Sequence, residues 1–521
     1  MDLLHATNSL LPLLHATLGS GKIPALYLYI PLTVQYLRLS SRNGLFSIPR
    51  WQHLPTFVAH MVALYFPATS AILGILSLAC DIAVPLPKMT YLKGQYSVGY
   101  VDYEMLKTES GYPALGRILY PTQHSHTKTT SYLFQHNRHG LTRRFIETSG
   151  IWQFIPQIPS WLLGHWSQIQ VPLSEGATPL NEKLPVVVFS HGNTASREIS
   201  TSMGLSLAST GKAVVVLVEH TDGSSSSARF KAGTVLEFDH SVSKLWPDKS
   251  APETKEFLQA RRNQTKIRTK NIQDAIRLLY QMNQGNTNGN EHVRGTKGCS
   301  LPSFENQLLM KKIGLGGHSF GGATALNYAA DLISGRISGV ASTIQIGGLY
   351  VMDPANSWVP QEARLAVGLG KQPGYKHYWK SNITTGKSME LPTLSTRIPV
   401  MFMYSEGWWK VDKWSQFGKE FTKAASFAES VYIVIKGCGH QSLCDVAFLL
   451  PNAINVKLLK NTLVGTLSDD LPPVVNEVVL RFLTNVQILK GKKSKVNEVK
   501  GTMAGLTPDQ TELTPPVDSF L

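Results

Sequence analysis

The sequence feature that most constrains the fold is a glycine-rich segment at residues 313–323, IGLGGHSFGGA. It reads as a short apolar strand, a G-x-S-x-G turn and the start of a helix. Such an abrupt change strains the backbone at Ser319, and a side chain at Gly317 or Gly321 would collide across the turn. The turn is expected to lift the Ser319 hydroxyl out of the sheet, at a helix N-terminus that favours negative charge. Ser319 is therefore the candidate nucleophile.

Apolar segments before this turn predict a mostly parallel sheet. Residues 184–193 and 211–220 are near-continuous apolar runs rich in valine, a pattern typical of parallel strands covered on both faces. Two earlier segments, 95–101 and 115–121, are predicted to form antiparallel strands at the start of the domain. The sequence thus predicts an α/β fold with helices on both faces of a mostly parallel central sheet.

Polar residues at the ends of later predicted strands complete a candidate catalytic triad. Asp353 ends the strand after the turn, and His440 lies on a G-C-G-H loop after the last strand. A serine needs a base such as His440 to act as a nucleophile, and Asp353 would orient and stabilise the imidazole. Glu406, at the end of the intervening strand, is the alternative acid. The order Ser, Asp, His is that of α/β-hydrolases.

Two backbone amides are candidates for an oxyanion hole. The strand at 184–193 ends in a His-Gly pair, and in α/β-hydrolases the loop after such a strand supplies one N–H. The motif assigns that amide to Asn193 and the second to Phe320, the residue after the nucleophile. Each amide is expected to contribute a few kcal/mol to stabilisation of the transition state. His191 and His318, within the motifs themselves, are interpreted as packing or loop-shaping residues.

Composition indicates a globular protein with a basic surface. Of 521 residues, 43% are apolar, and the net charge is +15. A net positive charge favours binding to polyanions. The sequence shows no groove of interleaved aromatic and basic residues, so the expected partner is a membrane surface and not nucleic acid. Cys438 and Cys444 bracket His440, yet no second cluster of metal-ligating residues appears elsewhere. We therefore expect neither a metal nor another cofactor.

The chain divides into an extension, a catalytic domain and a tail. Residues 57–80 contain no Asp, Glu, Lys or Arg, and this length suits a membrane anchor, although a buried or interfacial helix is the alternative. The catalytic domain is predicted at 85–489, with an insertion at 222–303 that includes a helix at 253–282. Residues 490–521 are expected to be a disordered basic and Pro/Thr-rich tail.

Several motifs together resemble the platelet-activating factor acetylhydrolases of the monomeric plasma and intracellular type II form. They are QYSVGYV at 95–101, ILYPTQ at 118–123, VVFSHG at 187–192, VEHTDGSSS at 218–226, GHSFGGAT at 317–324, IPVMFMYSE at 398–406 and GCGHQ at 437–441. The resemblance implies an α/β-hydrolase fold and a triad of Ser319, Asp353 and His440. Asn193 stands where this family leads us to expect an apolar residue, but the oxyanion role uses only its backbone N–H.

The same resemblance implies docking on lipid through apolar segments near the site. A tryptophan-rich segment at 151–166 and residues 446–450 occupy the corresponding positions. Tryptophan suits such an interface because its ring is apolar while its N–H stays hydrated. The candidates for contact with lipid are Trp152, Trp161, Leu162, Trp166, Phe448 and Leu449.

By this resemblance, we expect a calcium-independent serine esterase that cleaves sn-2 acetyl, short or oxidised acyl esters of phospholipids. The alternatives are a general carboxylesterase or lipase and a catalytically silent lipid-binding relative. The expected partners are phospholipid and a membrane surface, and the expected state is a monomer. Two sequons, at 263–265 and 382–384, would place the domain in a secretory lumen or outside the cell if both carry glycans.

Overall fold

The computed structural model describes residues 89–105, 108, 111–122, 130–131, 169–229, 235–245, 253–286, 293–295, 301–359, 398–409, 431–435, 438–445 and 471–493. The candidate anchor at 57–80 and the tryptophan-rich segment at 151–166 lie outside these ranges, as does the tail beyond residue 493. No helix within the described ranges combines the length and apolar character needed to cross a bilayer.

The described strands and helices follow the predicted alternation. The strands are β1 Val98–Met105, β2 Ala114–Pro121, β3 Thr130–Ser131, β4 Gln170–Val171, β5 Leu173–Glu175, β6 Val186–Ser190, β7 Val214–Glu219, β8 Ser227–Arg229, β9 Val235–Glu237, β10 Val293–Gly295, β11 Lys312–His318, β12 Gln345–Met352, β13 Val400–Ser405 and β14 Val431–Ile435. The α-helices are α1 Thr201–Ser209, α2 His240–Lys244, α3 Lys255–Asn283, α4 Phe320–Ile333, α5 Glu406–Trp409 and α6 Leu471–Asn485. Short 3-10 helices span Arg197–Ser200, Gly339–Thr343, Asn356–Trp358 and His440–Leu443.

One large sheet organises the molecule. Its strand order is β10-β1-β2-β7-β6-β11-β12-β13-β14, and β5 also pairs with β1. From β7 to β14 all neighbours are parallel, whereas β2 runs antiparallel to both β1 and β7. The predicted α/β fold with a mostly parallel sheet is thus confirmed, and the sheet has the arrangement expected of an α/β-hydrolase.

Both faces of the sheet are buried, which explains the continuous apolar runs in the sequence. Side chains alternate along β6, so that Val187 and Phe189 join one core cluster while Val186 and Val188 join the other. Helices α1 and α6 contribute to the first cluster, and α3 and α4 contribute to the second. A strand covered on both faces needs apolar residues at every position.

The predicted insertion takes part in both the helical layer and the sheet. Its helix, expected at 253–282, begins after Thr254, whose side chain accepts a hydrogen bond from the Phe257 N–H at 3.1 Å. Ile272, Ile276 and Leu279 of this helix are buried in the core, as their helical spacing predicted. The segment also supplies β10, an edge strand antiparallel to β1 that the sequence did not predict.

Candidate active site

Ser319 lies on the predicted sharp turn between β11 and α4. Its φ is 57° and its ψ is −118°, a conformation that L-residues rarely adopt. The two flanking glycines are required by space, because a Cβ on Gly321 would lie 1.9 Å from the Ser190 carbonyl oxygen and one on Gly317 would lie 2.2 Å from the Gly321 oxygen. The tight turn thus carries the serine on a strained backbone at the start of α4.

Asp353 and His440 come together from distant parts of the chain. Asp353 directly follows β12, and His440 begins the 3-10 helix after β14. The Nδ1 atom of His440 lies 3.1 Å from Oδ2 of Asp353. Among the described residues no hydrogen bond joins His440 to Glu406, which begins α5. The structure therefore gives the imidazole Asp353 as its acidic partner.

The Asp353 carboxylate accepts further hydrogen bonds from a residue that the sequence analysis missed. The Ser405 N–H donates to Oδ1 at 2.7 Å, and its hydroxyl donates to Oδ2 at 2.5 Å. Burial raises the pKa of Asp353, and the two hydrogen bonds from Ser405 act in the opposite direction by favouring the carboxylate. Ser405 ends β13, so only the pairing of β12 with β13 places it beside Asp353.

His440 is held between two other rings. Trp408 stacks on it with ring centroids 3.9 Å apart and an interplanar angle of 13°. The centroid of the His318 ring lies 4.6 Å from that of His440. The His318 Nε2 donates to the backbone carbonyl oxygen of His440 at 3.0 Å. Burial lowers the pKa of His440 to about 3, so the ring is neutral near pH 7 and able to accept a proton.

Backbone hydrogen bonds place Ser319 against the segment that carries Asp353. The Ser319 N–H donates to the Met352 carbonyl oxygen at 2.8 Å, and the Ala355 N–H donates to the Ser319 carbonyl oxygen at 3.0 Å. The described contacts include no hydrogen bond between the Ser319 hydroxyl and His440. In unliganded enzymes such bonds are often long and tighten only when substrate binds. The structure thus joins Asp353 to His440 directly and ties the Ser319 backbone to residues on either side of Asp353.

The two predicted oxyanion residues flank the serine. Gly192 packs on it so closely that a Cβ there would lie 3.1 Å from Ser319 Cβ, and Asn193 is the next residue. Phe320 is the first residue of α4, where backbone N–H groups have no intrahelical acceptor. Both candidate amides therefore belong to segments that border the Ser319 side chain.

The same cluster contains atoms of the type that bind metals. One nitrogen each of His318 and His440 and a carboxylate oxygen of Asp353 lie within 4.8 Å of one another. Two of these side chains already share the His440–Asp353 bond, and the Nε2 of His318 donates to a carbonyl. Cys438 and Cys444, which bracket His440 in sequence, are buried with free thiols. The hydrogen bonds already made favour an acid–base array over a metal centre.

The candidate lipid contacts cannot be located in this structure. The four residues of the tryptophan-rich segment, Trp152, Trp161, Leu162 and Trp166, lie outside the described residues. Phe448 and Leu449 follow the last described residue of the His440 loop and lie outside them as well. Their role at a lipid surface stays a prediction.

Comparison with known proteins adds a family to this geometry. Residues 83–339 match the family described as platelet-activating factor acetylhydrolase, isoform II. This part of the chain is thus similar to that family. The resemblance found in the motifs is therefore confirmed. The family match includes Ser319 and both oxyanion candidates but ends before Asp353 and His440, whose placement comes from the structure.

Individual relatives agree with the family match. The platelet-activating factor acetylhydrolase of Bos taurus is 28% identical over 246 residues, which is 46% of this chain and 51% of that protein. The enzyme of the same name from Canis lupus familiaris is 29% identical over 252 residues, with the same coverage of both chains. The chain thus spans about half the length of these curated relatives.

A solved structure of the ferulic acid esterase from Streptomyces cinnamoneus is also similar to this chain. The alignment has a TM-score of 0.49 and 16% identity and covers 83% of this chain and 98% of that one. At that level of similarity it carries no argument about the site.

Proposed function

We propose that this protein is a serine esterase that hydrolyses the sn-2 acetyl, short or oxidised acyl ester of phospholipids without calcium. The observation that carries the proposal is the geometry around one hydroxyl. Ser319 sits on a strained strand-to-helix turn, its backbone bonds to residues on either side of Asp353, and Asp353 pairs with the buried His440. A serine becomes a nucleophile at neutral pH when such a base is next to it.

In the first half of the reaction, the Ser319 Oγ attacks the ester carbonyl carbon and passes its proton to Nε2 of His440. The Nδ1 atom faces a carboxylate, so it keeps its proton and leaves Nε2 free to accept one. Asp353 then stabilises the imidazolium that forms. The amides of Asn193 and Phe320 would bind the negative oxygen of the tetrahedral intermediate.

In the second half, the imidazolium returns its proton to the leaving alkoxide. The carbon–oxygen bond of the ester breaks, lysophospholipid departs, and the acyl group stays on Ser319. Water then attacks the acyl-enzyme while His440 accepts its proton, and the carboxylic acid leaves as the serine is regenerated. No step in this sequence needs a metal ion to polarise the carbonyl, because the two amides take that role.

The choice of phospholipid as substrate is supported by similarity to a family. Residues 83–339 match a family named for hydrolysis of platelet-activating factor, and the curated relatives carry the same name. The described geometry supports ester hydrolysis by a serine but does not distinguish one ester from another. A general carboxylesterase or lipase would use the same array.

Two measurements test the proposal in turn. A fluorophosphonate probe should label the wild-type chain, and Ser319→Ala should abolish the label. Hydrolysis of sn-2 acetyl phosphatidylcholine should then exceed that of its long-chain counterpart, with equal rates in calcium and in EDTA. Absence of label would indicate a silent relative, whereas cleavage of simple esters without any phospholipid would indicate a carboxylesterase.

We also propose that the chain works at a membrane surface, as a monomer facing a secretory lumen or the exterior. The net charge of +15 and the uncharged segment at 57–80 support this placement. Co-flotation with anionic vesicles, and glycosidase-sensitive mobility of the expressed chain, are the expected results. A chain that remains unbound to vesicles and carries no glycan would contradict the placement without affecting the esterase proposal.

A further inference from the structure

Two arginines of α3 reach beneath the loop that carries the first candidate oxyanion amide. Arg261 Nη1 donates to the side-chain oxygen of Asn193 at 3.0 Å. Seven residues later, Arg268 Nη2 donates to the backbone carbonyl oxygen of His191. Both arginines are buried, although the surface is the usual place for this residue type. Their hydrogen bonds therefore connect the predicted insertion to the candidate active site.

The surroundings of the two guanidinium groups offset part of the cost of their burial, which lowers the pKa of both arginines. Arg268 lies over the Phe320 ring, 4.3 Å from its centroid, and Arg261 lies over the Trp358 ring at 4.4 Å. Arg268 also donates to Ser224 Oγ at 2.9 Å. Aromatic faces attract cations most strongly where water is excluded. Arg268 thus contacts both candidate oxyanion segments, the loop at 191–193 through a carbonyl and the start of α4 through the Phe320 ring.

Every carbonyl oxygen of the loop at 191–193 has a donor. Arg268 donates to His191, the His191 Nδ1 donates to the Gly192 oxygen at 2.8 Å, and the Thr194 hydroxyl donates to the Asn193 oxygen at 2.6 Å. In a trans peptide the N–H points opposite to the carbonyl, so holding the Gly192 oxygen also fixes the direction of the Asn193 N–H. Within the described ranges the Asn193 N–H has no hydrogen-bond acceptor. A donor that is to bind an oxyanion must be unoccupied in this way.

We propose that Arg261 and Arg268 are positioning residues that hold the oxyanion loop in its productive orientation. Arg268 holds the loop through its backbone, and Arg261 holds it through the Asn193 side chain. The inference rests on the proposed esterase function and deepens it by assigning a task to α3. A preorganised amide acts in the transition state, where the oxyanion forms, and has little effect on binding of the ground-state ester.

The Asn193–Arg261 contact allows a direct test because both partners can be changed while the Asn193 amide remains. The variants are Asn193→Ala, Arg261→Met and the double variant. Arg277→Met is the matched control, since it makes the same substitution on the same helix where the arginine bonds to Asp274. The readouts are kcat and KM on an sn-2 acetyl phospholipid, together with the thermal midpoint.

Each single variant should lower kcat about 10-fold, less than the 10²–10³-fold that accompanies loss of an oxyanion donor, with KM within about 2-fold. The double variant should also lose about 10-fold rather than about 100-fold, because both changes remove one contact. The control should keep the wild-type kcat. A kcat loss equal to that of the control, or an effect confined to KM, would overturn the inference.

The outcomes separate this inference from the proposed function. If the wild-type chain neither reacts with fluorophosphonate nor cleaves esters, the esterase function fails. If the wild type is active and Asn193→Ala retains full kcat at an unchanged thermal midpoint, only the positioning role fails. Should Arg261→Met not fold, Asn193→Ala still decides, because Asn193 is a partly exposed loop residue.

Discussion

Among the described residues, two groupings of a serine, a histidine and a third polar residue differ in access and backbone geometry: Ser319, His440 and Asp353 form the proposed catalytic array, and Ser190, His220 and Asn271 form a second array. In the second array, Ser190 Oγ lies 2.7 Å from His220 Nε2, and His220 Nδ1 lies 3.4 Å from the Asn271 side-chain oxygen. Its serine–imidazole hydrogen bond is formed, whereas none is found for Ser319 among the described residues. By hydrogen bonds alone, the second array would look more like a catalytic relay.

Access and backbone geometry reverse that impression. Ser190, His220 and Asn271 are all 0% exposed, whereas Ser319 is 8% exposed and lies on a turn with φ of 57°. Ser190 ends β6 within the sheet, so its hydroxyl points into packed side chains rather than toward a substrate. If Ser319 is the nucleophile, as proposed, the comparison means that lifting the hydroxyl out of the sheet matters more than a hydrogen bond in the resting state.

The third member of each array differs in charge. Asp353 is a carboxylate that can stabilise an imidazolium, whereas Asn271 offers only a neutral amide. Burial, followed by the nearby charge of Arg268, lowers the pKa of His220 well below its ordinary value. The second array therefore holds a histidine whose charged form is disfavoured by burial, and it links β6, β7 and α3.

Replacing each serine should give the largest contrast between the arrays. Ser319→Ala should lower kcat/KM by about 10⁴-fold or more, since removing a triad nucleophile leaves only binding and the oxyanion hole. Ser190→Ala should keep kcat/KM within about 2-fold and cost about 1 kcal/mol of stability through its lost hydrogen bond. Rates on p-nitrophenyl acetate and urea unfolding measure both effects, and equal losses of activity would contradict the assignment.

The next largest effect is expected when the acid of the first array is replaced by an amide, the group that occupies this place in the second array. Asp353→Asn should lower kcat by about 10³–10⁴-fold, because the amide neither stabilises the imidazolium nor keeps the proton on Nδ1. Asn271→Ala should leave kcat near wild type while destabilising the fold by about 1–3 kcal/mol, through the unsatisfied groups it leaves. If Asp353→Asn retained activity and Glu406→Gln lost it, the alternative acid would be correct.

The Trp408 ring stacks more closely on His440 than any described ring does on His220. Trp408 lies 3.9 Å from the His440 ring, whereas the nearest described ring to His220 is His191 at 4.9 Å. A cation–π contact of about 0.5–2 kcal/mol should help the imidazolium form, so Trp408→Leu should lower kcat about 3- to 30-fold. Trp408→Phe, which keeps an aromatic face, should lose less. Identical kcat values for the two variants would exclude the contact.

The smallest expected effect concerns stability. Buried histidines in both arrays should make the free energy of unfolding depend on pH. Burial lowers the pKa of His318 and His440 to about 3 and that of His220 well below 6.5. Below pH 6.5 the unfolded chain therefore binds up to three more protons at these residues, and stability falls as pH falls. The raised pKa of Asp353 opposes this, because above the ordinary value of 3.8 the folded chain holds up to one more proton on this group than the unfolded chain.

The net expectation is a loss on the order of 1–3 kcal/mol between pH 6.5 and 5. Urea midpoints across that range measure it. His220→Gln should reduce the slope, because one of the three titrating imidazoles is gone. A midpoint that rises on acidification would show that the Asp353 contribution dominates.

The sequence alone determined the parts of this protein that depend on neighbours along the chain. The turn at Ser319, the two-sided valine strands and the helix now seen at Lys255–Asn283 were all predicted close to their observed positions. These features arise from local signals: hydrophobic periodicity, glycine at a tight turn and threonine at a helix N-cap. Each signal acts over a few residues and can be read from a single sequence. The order of Ser319, Asp353 and His440 along the chain was also readable.

Only the tertiary structure decided which distant residues meet. Sheet pairing brings Ser405 to Asp353, and the packing of α3 brings Arg261 to Asn193 and Arg268 to His191. The contact of His440 with Asp353 rather than Glu406 was likewise visible only in the structure, since both acids directly follow adjacent strands. Such contacts depend on strand order and helix packing across the whole domain, which no local pattern encodes.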